Sequence, residues 1–116
     1  MTVFTKVVLS GSTNGRPIKV AAVATPGTLI HTAVAGTVSI DEVWLYACNT
    51  DVVARLVTVE FGGVTDPDDL IEIEVPSQSG LYTLTPGMPL QNGLVVGAFA
   101  AVANVITIVG FVNRIS

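Results

Sequence analysis

This chain has little charge. Lysine and arginine number five, aspartate and glutamate nine, so 12% of the 116 residues are charged, where about a quarter is usual. The five cations, Lys6, Arg16, Lys19, Arg55 and Arg114, are scattered along the sequence. A nucleic-acid groove needs cations clustered to neutralise phosphates, so no nucleic-acid partner is expected. Cysteine occurs once, as Cys48. A lone cysteine excludes an intrachain disulfide framework, and without a histidine or cation beside it a buried, inert thiol is expected. Histidine also occurs once, as His31 within Leu29-Ile30-His31-Thr32-Ala33. Acid–base catalysis and metal binding both need companions for it, so a half-buried strand residue is the expectation, with no metal or other cofactor. No GxxxxGK[ST] or GxGxxG element precedes a helix, which excludes a phosphate-binding loop of those types. No basic segment followed by an uninterrupted apolar run opens the chain, so no secretory leader is expected. The longest apolar stretch, residues 93–112, is broken by Gly97, Asn104, Thr107 and Gly110. It reads as two strands turning at Asn104, not as a membrane helix, and no membrane partner is expected. Capped windows with i, i+3, i+4 apolar spacing are missing as well, which argues against helices.

What is present is valine, isoleucine, threonine and glycine, with half the residues apolar and a mean hydropathy of +0.69. Short β-branched runs recur between turn signals about every ten residues, the pattern of a sandwich or barrel. Strands are expected over residues 2–9, 18–24, 28–33, 38–48, 53–61, 70–75, 81–84, 94–102 and 105–114. The fold class is therefore all-β: an antiparallel two-sheet β-sandwich, jelly-roll-like, of eight or nine strands. Alternation sets the faces. Val43, Leu45 and Ala47 point one way and Glu42, Trp44 and Tyr46 the other; Ile71, Ile73 and Val75 point in and Glu72 and Glu74 out. Residues 17–116 form one sandwich domain. Residues 1–16 form an N-terminal strand or assembly arm with a loop, because SGSTNGRP separates the first run from any hairpin partner.

The last two strands are apolar on both parities, with Val105, Val109 and Phe111 on one and Ile106, Ile108 and Val112 on the other. A sandwich strand ordinarily keeps one wet face, so the outer face should be covered by another subunit. A homo-oligomer, a trimer, is expected. Its candidate interface residues are Val3, Phe4, Val7, Val8, Trp44, Tyr46, Val105, Val109 and Phe111. Other constellations are weaker. Asp66, Asp68 and Asp69 surround Pro67 and lack the longer frame of a calcium loop, so an Asx-type turn explains them. Glu72 and Glu74 lie on one side of one strand, which suits edge protection rather than a carboxylate pair across a cleft. Trp44, Tyr46 and Tyr82 would suit a sugar platform or a protein interface; low charge favours the interface. No enzyme is expected.

Several stretches carry a family resemblance: SGSTNGRPIKVAAVATPGTLIHTA near the start, DEVWLYACNTD and VTVEFGG in the middle, and LVVGAFAAVANVITIVGFVNRIS at the end. Together they resemble small virion structural proteins of tailed bacteriophages. The resemblance implies a non-enzymatic virion component, similar to a capsid decoration (cement) protein. Such a protein is made in the host bacterial cytoplasm, sits on the capsid exterior, and clamps the major capsid protein of the phage shell. A phage tail or head–tail connector component, or a carbohydrate-binding β-sandwich module using Trp44 and Tyr46, is the alternative.

Overall fold

The computed structural model describes residues 2–116, and among these every regular element is a strand. In chain order they are β1 Phe4–Val8, β2 Ile18–Lys19, β3 Thr28–Thr32, β4 Ile40–Asn49, β5 Arg55–Phe61, β6 Leu70–Val75, β7 Tyr82–Leu90, β8 Val95–Ala100 and β9 Ile106–Ile115. They form two antiparallel sheets. Sheet A runs β1-β9-β4-β7, with β2 also on β9; sheet B runs β3-β8-β5-β6. The partners β5·β6, β4·β7, β3·β8 and β1·β9 are nested inside one another, like a single long hairpin. That hairpin is rolled until β9 also meets β4 and β8 also meets β5.

The strands arise where alternation meets β-branching. Along β4 burial alternates at every residue, with Val43, Leu45 and Ala47 fully buried and Trp44 and Tyr46 half-buried on the other face. From β9, Ile106, Ile108 and Val112 point the same way. Val57, Val59, Val96 and Ala98 meet them from sheet B, and the core lies between the two sheets. Asn14 (φ 55°) with Gly15 (φ 87°), and Asn104 (φ 70°), supply the left-handed turns that their sequences imply.

Four expectations change. The strand expected over 18–24 stops at Lys19, because the chain then crosses between sheets. Val20 N–H bonds to Ile106 O in sheet A, and Ala22 O accepts from Ala100 N–H in sheet B. The short strand expected at 81–84 runs on to Leu90 through Pro86 and Pro89. It is an edge strand, where a proline need not donate to a ladder, and two register shifts against β4 absorb the misfit. The first strand finds its partner within the chain, from Phe4↔Ile115 to Val8↔Phe111. Residues 4–8 therefore extend the sandwich's own sheet instead of leaving it as an arm. Lastly, sheet B's outer face is partly covered by the chain's own 22–28 connection, which bonds to the buried Glu60 through Thr25 and Gly27.

Candidate functional site

Sheet A turns an unusual face outward. Trp44 and Tyr46 on β4 stand opposite Phe111 and Val109 on β9, and β1 adds Phe4, Lys6 and Val8 on the same parity. The Trp44 and Phe111 rings stack, with centroids 5.9 Å apart and planes 9° from parallel. Lys6 Nζ lies 4.7 Å from the Phe111 centroid, so the nearest cation is folded over a ring instead of standing free. Beside Trp44 lies Gly87 at φ 75°, where a Cβ would come within 2.7 Å of the indole. Glycine thus lets the indole lie flat on β7. Trp44 Nε1 is buried there and has no hydrogen-bond partner among the described residues. Phe4 is 73% exposed, and Val8 and Ile40 extend the apolar rim.

Six of the nine expected interface residues, Phe4, Val8, Trp44, Tyr46, Val109 and Phe111, meet on this face. Three do not. Val7 has the opposite parity and packs against the core. Val105 precedes β9 and also packs against the core, and Val3 is exposed beyond the start of β1. Tyr82 pairs with Ala47 rather than standing beside Trp44 and Tyr46. Cys48, expected to be buried, is half-buried on the outer parity of β4.

A second cluster is the nearest thing to catalytic chemistry. His31, expected half-buried, is wholly buried, and so is Asp41. His31 Nδ1 accepts from Ser10 N–H at 3.0 Å, and its Nε2 lies 2.8 Å from Asp41 Oδ2, so in this geometry Nε2 carries the proton and donates. Arg114 grips the same carboxylate at both oxygens, at 2.7 and 3.0 Å, and Val34 N–H donates to Oδ2. Serine, histidine and aspartate thus lie together, but their roles are not those of a triad. Ser10 Oγ accepts from Thr32 N–H, and only Ser10's backbone reaches the imidazole. Nucleophilic attack needs the hydroxyl on the histidine and the pair open to substrate. The cluster instead joins β3 of one sheet directly to β4 and β9 of the other, and ties the loop at Ser10 to β3. Sequence reasoning singled out neither Asp41 nor Arg114; their facing register, Asp41↔Arg114, exists only once β4 and β9 pair.

Glu60 is the other buried acid. Gly27 N–H donates to Oε1 at 2.7 Å, and the Thr25 hydroxyl donates to Oε2. A cleft of about 310 Å³ opens beside it, lined by Pro26, Leu29, Gly62, Val64, Leu94 and Gly97 among others. Each carboxylate oxygen accepts a bond from the protein, so Glu60 anchors the connection at 25–27. Asp69 Oδ2 accepts from Thr65 N–H, closing the polar loop as a turn; Asp66 and Asp68 do not join it in a cluster of three metal-ligating side chains among the described residues. Glu72 and Glu74 are exposed on β6, which is an edge of sheet B.

The outer face of sheet A is therefore aromatic and aliphatic around Trp44, Tyr46, Val109 and Phe111, with Lys6, Asn113 and Glu42 in one row across it. Set against known proteins, the chain matches no family model, no curated protein and no solved structure.

Proposed function

We propose that this chain is a non-enzymatic virion structural protein, a capsid decoration protein that binds the major capsid protein on the outside of a phage head. The observation that carries the reading is the outer face of sheet A, where Phe4, Val8, Trp44, Tyr46, Val109 and Phe111 come together and Lys6 and Glu42 are the charged residues in the row beside them. Contact faces favour such residues: aromatic side chains bury much area at low entropic cost, and few charges must be desolvated. The strand order supports the finer reading of the sandwich as a jelly roll, since nested pairs rolled into two sheets are its winding. The low charge of the whole chain supports a homo-oligomer as the bound form, and the resemblance to decoration proteins is what points to a trimer.

The test uses Tyr46→Glu with Val109→Glu, a cross-strand pair on that face. Two carboxylates there should abolish co-sedimentation with phage heads lacking the protein, while stability changes by less than about 2 kcal/mol. Wild-type protein that fails to sediment with heads would overturn the reading. Glycan binding lost on Trp44→Ala would replace it with the carbohydrate-module reading.

A further inference from the structure

Each sheet has two edges, and their fates differ. The edge at β3 is covered by the chain itself: Gly11 N–H bonds to Ile30 O, and Thr32 N–H bonds to Ser10 Oγ. At β7, the edge lacks two donors, at Pro86 and Pro89, and its register shifts twice. Those two edges are closed to strand addition. The edges at β1 and β6 have no such backbone block, and their charged residues, Lys6 on one and Glu72 with Glu74 on the other, guard each edge only against one of like charge.

Hydrogen-bond alternation shows which residues face outward there. Val3 and Ser116 exchange both backbone bonds, so Thr5 and Val7 also bond toward β9, and Phe4, Lys6 and Val8 turn their N–H and C=O groups away from it. Likewise Phe61 N–H bonds to Asp69 O, so Ile71, Ile73 and Val75 bond toward β5, and Leu70, Glu72 and Glu74 face out. Of those outward groups, the Leu70 N–H is taken by Pro67 O. The others have no partner among the described residues. The two open edges carry opposite charge: Lys6 on β1, Glu72 and Glu74 on β6.

We infer that β1 of one copy pairs antiparallel with β6 of a second copy, in the register Lys6 opposite Glu72 and Val8 opposite Leu70. This register keeps outward backbone groups facing one another and leaves Leu70's carbonyl for the Val8 N–H. Directly across the ladder it sets one ion pair and one apolar pair, with Phe4 opposite Glu74. Like edges are disfavoured: β1 against itself, in the register centred on Lys6, sets two lysines face to face, and β6 against itself gathers four glutamates. The contact is heterologous, so repeated copies close into a ring or extend as a filament. It rests on the reading that copies associate, and it draws on β1, whose Phe4, Lys6 and Val8 also border the outer face of sheet A.

Charge reversal tests it by sedimentation velocity of the full chain. Lys6→Glu alone and Glu72→Lys alone should each weaken self-association by at least about tenfold. An equimolar mixture of the two variants should restore it, because each then offers the other a complementary edge. Both positions carry little buried surface, and unchanged melting temperatures would establish that the fold is kept. Wild-type protein that stays monomeric at its highest soluble concentration overturns the inference, as do single variants that associate normally or a mixture that does not recover. Head binding by the Glu72→Lys variant, whose substitution lies on the other sheet, separates the two readings: normal head binding without edge-dependent association sinks this inference and leaves the proposed function standing.

Discussion

Asp41→Ala should destabilise the protein by about 3–5 kcal/mol, the cost of removing one partner from a buried charge cluster. For a domain of this size that is a fall in Tm of roughly 10–20 °C. The loss is large because one carboxylate answers three donors. Without it, the imidazole of His31 keeps a buried N–H with no acceptor, Val34 N–H is orphaned, and the Arg114 guanidinium loses both of its bonds. The same cluster makes the fold acid-sensitive. Burial pushes the Asp41 carboxyl upward, but the hydrogen bonds from Arg114 and His31, the charge of Arg114 and the Val34 N–H together outweigh it and hold the group below the usual carboxylate range. A depressed native value stabilises the fold above the unfolded value of about 3.9, and this is lost as pH falls through the native one. Thermal melts of wild type should therefore fall steeply below about pH 4, with Asp41→Ala flatter over that window. A variant as stable and as acid-sensitive as wild type would show that the cluster is idle.

Gly110→Ala should be at least as damaging, through sterics alone. Gly110 sits in the middle of β9 opposite Leu45, and its φ lies outside the left-handed region. An added Cβ would overlap the Trp44 carbonyl oxygen and stand 3.0 Å from the carbonyl carbon. Both atoms are backbone, so relief requires β4 and β9, the two central strands of sheet A, to move apart. Overpacking that flexible side chains absorb costs about 1–3 kcal/mol, and a backbone obstacle costs more. A domain stable by about 5–15 kcal/mol would then be insoluble or melt far below wild type. Gly36→Ala is the control: its φ of 76° carries the left-handed penalty of about 1–2 kcal/mol, but a Cβ there meets nothing within 4 Å. Equal melting temperatures for the two variants would rule out the steric account.

Much of the sandwich could be read from sequence, for local reasons. The faces of β4 and β6 follow from strict alternation, and the turns at Asn14-Gly15 and Asn104 from residues that tolerate positive φ. The outer aromatic face was half legible: parity places Trp44 with Tyr46, but only the register of β1 on β9 brings Phe4 and Val8 alongside and turns Val7 inward. The buried acids were not legible. Glu60 lies in a sequence that alternates as though half-wet, and its partners Thr25 and Gly27 are 35 and 33 residues away. Asp41 and Arg114 are 73 residues apart. Composition signals that few charges exist; it carries no sign of which ones the winding will bury.

The nested pairing has a kinetic side. The ends of β5 and β6 are separated only by residues 62–69, whereas β1 and β9 lie at opposite ends of the described chain. Bringing β1 directly to β9 in an unstructured chain carries about 2 kcal/mol more closure entropy than forming the inner pair, because that entropy grows with the logarithm of loop length. Once β5 and β6 have met, β4 and β7 are already near each other, and then β3 and β8. Each completed pair shortens the next loop, so the winding can zip outward from the 62–69 turn without ever closing a long loop in one step. β1 is then the last strand to be held, and the first to be released when the chain unwinds.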